Sequence, residues 1–248
     1  ILRSINSSRD LINIRNVTSH EKTPVLLSLI RYISDHSMLF CCTKAILRLI
    51  YETMKKIIGQ VHSVHTGSNN NLGTIEEPYI EVELDGIIND PHRGYTRETW
   101  AGDKQKKGTI RRNERQWSAV SIEEIEAIET SMKIKNAINA SSLGANLCFL
   151  GIPNLSALPK GSILKFPSGV ELIVEEYNPP CLAMGKKIAA EHKNNENQSI
   201  DDTLFSKAGK LNRGIVGVIE TTGRINQGDE VTVITYEEPA WKERLIDA

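Results

Sequence analysis

The amino-acid sequence predicts a mainly β protein, a closed barrel-like sheet with helices at its periphery. Three observations point there. Short runs in which apolar and polar residues alternate recur from Lys56 to Thr235. Turn signals such as Asp85-Gly86, Pro167-Ser168-Gly169 and Gln227-Gly228-Asp229 punctuate those runs. Segments with helical spacing are few, and many short strands joined by tight turns are the pattern of a barrel. The chain has 248 residues, 40% hydrophobic and 25% charged, a globular balance sufficient for one large domain or two small ones.

Taken in order, the chain divides at 1–53, 54–236 and 237–248. The first part reads as a helical extension. Thr23-Pro24 starts an amphipathic helix whose apolar face is Val25, Leu26, Leu29, Ile30 and Ile33. A second apolar run, Met38 to Ile50, is interrupted by Lys44 and Arg48 and is too short and too charged to span a membrane. Targeting is the weaker reading, because no clear cleavage pattern is present. Cys41 and Cys42 read as packing residues. A compact domain then opens near Met54, with a strand from Lys56 to His65 and a half-buried one through Ile80, Val82 and Leu84. Thr96 to Arg115 reads as a charged loop. Ser121 with Glu124 is a capping box for a helix whose core face is Ile125, Ile128 and Met132, ending between Asn136 and Ser142. Leu147 to Phe149 is a buried strand with Cys148 in the core. Ile163 to Phe166 and the alternating run from Val170 are strands, followed by a helix from Leu182 to His192. Lys193 to Asp202 reads as a mobile polar loop. Asn212-Arg213-Gly214 opens another strand, Thr222-Gly223 marks a hairpin, and Val231, Val233 and Thr235 close the last strand. The remaining residues, 237–248, are a C-terminal tail.

Charge and cysteine usage narrow the function. The formal net charge of -1 gives no global attraction for a polyanion, so nucleic acid is not an expected partner and any anion site is local. The 4 cysteines contain no CxxC pair, which argues against a zinc cluster, a thioredoxin motif or a disulfide framework. A reducing cytoplasm suits them best.

One cysteine stands apart. Cys181 follows a strand and two prolines and precedes a helix. It therefore feels the positive end of a helix dipole, with Lys186 and Lys187 nearby. Both effects favour the thiolate, the form that attacks electrophiles and binds metals. The commoner fate of a free cysteine is to act as a small buried hydrophobe. A second cluster, Asp90-Pro91-His92-Arg93, brings a carboxylate, an imidazole and a guanidinium together, which suits charge-assisted ligand contacts or simply a capped turn. Arg111, Arg112 and Arg115 offer phosphate-binding forks if they are more than a solvated face. Asn146 lies between apolar residues and needs partners if buried.

Several of these stretches together resemble one family. Gly86-Ile87-Ile88-Asn89-Asp90-Pro91-His92-Arg93-Gly94, Arg115-Gln116-Trp117-Ser118, Gly144-Ala145-Asn146-Leu147, Leu155-Ser156-Ala157-Leu158-Pro159-Lys160-Gly161, Pro180-Cys181 and Asn212-Arg213-Gly214 occur in the order found in MOSC domains. These modules are named for the C-terminal part of molybdenum cofactor sulfurases, and this chain resembles the stand-alone class. The resemblance departs at Asn89, where the family often has Gly, and at Ala145, where it often has Glu. The chain has no room for a pyridoxal-phosphate desulfurase domain. The resemblance implies a β-barrel-like fold and a link to molybdenum cofactor (molybdopterin) or sulfur-carrier chemistry. Its hallmark cysteine maps onto Cys181, as catalytic residue and molybdenum ligand. Asp90, His92, Gln116 and Asn146 are then expected to orient the pterin or substrate, and Arg93, Arg112 and Arg115 to serve its phosphate, with Arg213 a further cofactor-binding residue. Bound molybdenum would reduce an N-hydroxylated substrate with the help of a redox partner protein. The alternatives are a sulfur carrier that takes a persulfide from a sulfur donor onto Cys181, and a non-enzymatic cofactor-binding module.

Overall fold

The computed structural model describes residues 56–67, 72–100, 102–134 and 138–238. All of them fall in one unit, Lys55–Ala248. The helices expected in 1–53, the packing of Cys41 and Cys42, and the tail beyond 238 lie outside the described residues. Among the described residues no helix is long and apolar enough to cross a membrane.

Seven strands close on themselves. β1 (Lys56–Gly67) pairs with β13 (Glu230–Ile234). The ring continues through β9 (Ile163–Lys165), β10 (Glu171–Tyr177), β11 (Ile215–Thr221), β7 (Trp117–Ser121) and β8 (Leu147–Leu150), and returns to β1. β2 (Thr74–Glu77) adds to the far end of β1. Every pairing in the ring is antiparallel except β7 with β8. The predicted mainly β barrel with peripheral helices is the fold observed. The parallel pair explains the main helix. Two parallel strands need a crossover, and α1 (Ile122–Met132) with the chain that follows it supplies one.

The alternation on those two strands builds two cores. Trp117, Ala119, Leu147 and Phe149 point into the barrel with Val61, Leu164, Leu172 and Val231. Val120 and Cys148, one residue out of phase, point outward onto Ile125, Ile128, Met184, Ile188 and Phe205. The outer layer is α1, α2 (Leu182–Glu191) and α3 (Leu204–Ala208). β7 and β8 are apolar on both faces because both faces are covered. Into and along β10 the expected alternation is realised, with Val170 just before the strand and Leu172 and Val174 on it fully buried.

Several details differ from the sequence reading. The strand through Ile80 and Val82, β3 (Tyr79–Glu83), stops before Leu84, which is exposed in the Asp85-Gly86 turn leading to β4 (Gly86–Ile87). The charged loop contains a hairpin, β5 (Thr96–Glu98) against β6 (Ile110–Arg112). α1 ends at Met132, not beyond Asn136. Lys133 takes a left-handed conformation, and its N–H closes on Glu129 and Thr130 carbonyls. Ser121 caps that helix as predicted, but Glu124 does not reach back; its carboxylate takes Ser156 instead. Thr222-Gly223 is not a hairpin turn. It carries the chain from β11 into β12 (Gly223–Asn226), which joins β3 in a separate three-stranded sheet. The polar stretch after α2 is an organised turn, with Asn194 Oδ1 accepting from the N–H groups of Glu196 and Gln198.

Candidate functional site around Cys181

Cys181 stands where β10 gives way to α2. Pro179 and Pro180 hold the chain extended, and Cys181 itself is the N-cap, with φ -117 and ψ 155. Its Sγ accepts from the Met184 N–H at 3.5 Å. Cys181 is exposed, whereas Cys148 is buried. Burial also pushes the Cys148 thiol up to about 12, against a hydrogen bond from Ser63. Of the two described cysteines, Cys181 is the chemically accessible one.

Arg213 is near enough to Cys181 to feel its charge. The residue is 7% exposed. Its Nη2 donates to the Leu143 carbonyl at 2.5 Å, and its Nη1 has no hydrogen-bond partner among the described residues. Burial pulls its pKa down to about 10, and the attraction of Cys181 is the largest opposing effect. The guanidinium therefore stays cationic at neutral pH. A buried, charged N–H without an acceptor is costly, and an anion at the cysteine would satisfy it.

Arg115 is a second cation, close enough to Arg213 to lower that group further. Burial lowers Arg115 itself. Its Nη2 donates to Asn178 Oδ1 at 2.7 Å, and its Nη1 lies 3.9 Å from Glu176. Asn178, three residues before the cysteine, also donates its N–H to the Gly214 carbonyl at 3.0 Å. One asparagine thus ties Arg115, the turn after Arg213 and the cysteine loop together. Sequence reasoning missed Asn178; its place directly before Pro179-Pro180-Cys181 was the available signal. Gly214 has φ +85, and a Cβ there would fall 1.8 Å from the Ala119 carbonyl oxygen. Only glycine lets this turn approach β7 so closely. Lys187, expected to add charge at the cysteine, donates to the Ser142 carbonyl at 3.0 Å.

The Asp-Pro-His turn forms its own network. Asp90 Oδ1 accepts from the His92 N–H at 2.8 Å and lies 3.0 Å from His92 Nδ1; Oδ2 accepts from the Gly67 N–H and from Asn146 Nδ2, both at 2.7 Å. Burial alone would raise Asp90, but these donors outweigh it and hold the carboxyl below its ordinary value. Asn146 Oδ1 in turn accepts from the Ser118 N–H at 3.0 Å. Gln116 bridges the Leu84 carbonyl and the Ile219 N–H. Asp90, Asn146 and Gln116 are buried and engaged with other groups of the chain, whereas the His92 ring is largely exposed. The turn reaches the cysteine side through Asn113, whose Nδ2 donates to the His92 and Gly94 carbonyls while its Oδ1 accepts from the Arg115 N–H.

The remaining expected cations are paired with carboxylates. Arg93 is held by Asp85 and Glu83. Arg112 pairs with Glu175 at 2.8 Å. Arg112 and Arg115 both line a cleft of about 360 Å³ that runs up to Pro179. Its cations are Arg97, Lys104, Arg111, Arg112, Arg115 and Lys160, and its carboxylates Asp103, Glu114, Glu175 and Glu176, so six against four leaves a net +2. The Arg97 guanidinium meets Asp103 at 2.7 Å and Glu114 at 2.5 Å, and its buried Nε has no hydrogen-bond partner among the described residues. Among the described residues no group of three or more His, Cys, Asp and Glu side chains is disposed to hold a metal ion.

Comparison with known proteins places this geometry. The family model described as the MOSC domain matches residues 93–232. A Bacillus subtilis (strain 168) protein, YuaD, is 30% identical over 184 residues, covering 74% of this chain and 94% of that one. Its name assigns it provisionally to metal-sulfur cluster biosynthesis. The crystal structure of the Bacillus subtilis YuaD protein superposes with a TM-score of 0.69 at 30% identity, covering 74% of this chain and 99% of that chain. A crystal structure titled only as a hypothetical protein shares the fold at 11% identity, with a TM-score of 0.50 over 75% of this chain and 72% of that chain.

Proposed function

Because this chain belongs to the MOSC domain family, we propose that it binds molybdenum cofactor, with Cys181 as the thiolate ligand to molybdenum. One observation carries this reading: an exposed thiol at a helix N-terminus stands beside a buried guanidinium that keeps a free N–H. The donor set fits the group. A soft sulfur suits a molybdenum centre that carries sulfur ligands already. Arg213 Nη1 would donate to an oxyanion, and the cleft bounded by Arg115 and Arg112 is within the size range of ligand pockets and has cations for a pterin phosphate. Bound molybdenum would supply oxygen-atom transfer, with an N-hydroxylated compound as the substrate it reduces. Cys181 would hold the metal and Arg213 would neutralise negative charge beside it. The exposed His92 ring would meet the substrate or pterin, and Asp90, Asn146 and Gln116 would fix the surrounding chain. A reducing cytoplasm would keep the thiol free.

Anaerobic purification from a molybdenum-competent host, followed by metal and pterin analysis, tests this. Wild type is expected to carry molybdenum and pterin, and Cys181→Ala and Arg213→Ala to lose most of both. Equal cofactor content in wild type and Cys181→Ala would remove the ligand role.

The name of the YuaD relative favours a second reading, sulfur transfer. The Cys181 thiolate would attack the outer sulfur of a donor persulfide. The donor S–S bond breaks, the donor leaves as a thiolate, and Cys181 becomes a persulfide whose terminal sulfur Arg213 neutralises. Mass spectrometry after incubation with a desulfurase and cysteine would then show a one-sulfur adduct on Cys181. An unmodified Cys181 in protein that holds cofactor would decide for the first reading.

A further inference from the structure

Behind Arg213 lies a buried acid that the reading above leaves without a task. Glu124, on α1, is 2% exposed. Its Oε1 accepts from the Ser156 N–H at 2.7 Å, and its Oε2 lies 2.9 Å from Ser156 Oγ. Ser156 Oγ accepts from the Gly214 N–H at 2.7 Å and faces the Gly214 carbonyl at 3.4 Å. The single hydroxyl proton of Ser156 therefore has two competing acceptors, Glu124 and Gly214. Which one it takes depends on whether Glu124 carries a proton of its own to donate.

We propose that Glu124 and Ser156 are positioning residues for Arg213: protonated Glu124 donates to Ser156, turning its hydroxyl onto Gly214 and holding the Arg213 guanidinium beside Cys181, and ionised Glu124 takes that hydroxyl back and loosens the turn. Three features support it. Gly214 directly follows Arg213 in a turn pressed against Ala119, so a change in the hydrogen bonds at its N–H and carbonyl bears on the backbone that carries the guanidinium. Burial raises Glu124 to about 7, within reach of ordinary pH changes. The titratable and charged groups that bear on Glu124 are Glu123 on its own helix, which raises it, and Tyr177 at the end of β10, which also feels Arg213. Its proton occupancy is set by burial first, then by Ser156 and by the repulsion of Glu123.

The inference rests on Arg213 serving Cys181, but not on which cofactor or sulfur species Cys181 holds. The test is therefore made on the metal-free full chain, by the rate of iodoacetamide alkylation at Cys181 between pH 6 and 8, read by peptide mass spectrometry. Wild type is expected to gain about threefold less across the interval than Glu124→Gln does, a modest part of what a neighbouring charge can impose. Glu124→Gln, whose amide keeps the donor of the protonated acid, is expected to match wild type at pH 6 and to react about threefold faster at pH 8. Ser156→Ala is expected to do the reverse, reacting about threefold slower than wild type at pH 6 and matching it at pH 8. In an Arg213→Ala background the Glu124→Gln effect should vanish. Circular dichroism checks that each variant is folded, and Glu124→Asp replaces Glu124→Gln should the latter not fold, with an altered profile expected. Profiles parallel to wild type in both variants, or a Ser156→Ala profile that keeps the wild-type shortfall, would overturn the proposal. Loss of molybdenum binding would bear only on the function proposed above.

Discussion

The buried acid on α1 gives the sharpest stability prediction. Glu124 is raised from 4.5 to about 7 by burial, opposed by hydrogen bonds from Ser156 and aided by Glu123. The folded state therefore holds the proton more tightly than the unfolded chain does. The sign follows directly: the favourable contribution is complete below about pH 4.5 and is lost as pH rises through about 7. A difference of about 2.5 units at about 1.4 kcal/mol each gives about 3.5 kcal/mol lost in all. Glu124→Gln removes the titration and keeps the amide oxygen for the Ser156 N–H. Wild type and variant should be nearly equal at pH 5, and the variant should be more stable by about 3 kcal/mol at pH 8.5. With a urea slope of about 2 kcal/mol/M, the midpoint difference between them would open from near zero to about 1.5 M. Comparing the two proteins at each pH cancels the titration of other groups, including His65, which burial lowers. A stability difference that stays constant from pH 5 to 8.5 would refute a neutral buried carboxylic acid at this position.

Three further outcomes follow from the geometry. Gly214→Ala should cost about 3 kcal/mol or more in urea unfolding, because its Cβ would meet the Ala119 carbonyl at 1.8 Å and its φ of +85 is unfavourable for any side chain. Asp90→Ala should cost about 3 kcal/mol at pH 7, since it strands the Gly67 N–H, the His92 N–H and Asn146 Nδ2; the wild-type advantage should hold down to the ordinary carboxylate range and shrink as pH falls below it, through the depressed value of the folded carboxyl. Of the two described cysteines, native protein should alkylate at Cys181 and not at Cys148, whose modification should appear only with denaturant; labelling of Cys148 in folded protein would contradict its sealed position in the helix-facing core.

Much of this was legible in the residues because it depends on local rules. Alternation from Val170 to Val174 predicted which side chains enter the barrel, and Pro179-Pro180 with the helical run after Cys181 put that cysteine near a helix N-terminus, where the structure makes it the exposed N-cap. Ser121 was readable as a cap for the same reason. What was not legible is long-range. No spacing rule says that Glu124 meets Ser156 rather than its own N-cap, or that Arg213 is buried with one N–H free; both depend on elements far apart in the chain. The hairpin expected at Thr222-Gly223 failed because Gly223 breaks the pairing and sends β12 to β3, a partner some 140 residues away by the register of Arg224 with Glu81. Asn178 escaped notice because a single amide gives no pattern; its importance lies in joining Arg115 to Gly214.

X-ray absorption at the molybdenum edge, on protein loaded with cofactor, tests the central claim most directly. Wild type should show one more sulfur neighbour at the metal than Cys181→Ala does, while Cys148→Ala should match wild type. Identical sulfur coordination in wild type and Cys181→Ala would contradict the assignment of Cys181 as the metal's protein ligand.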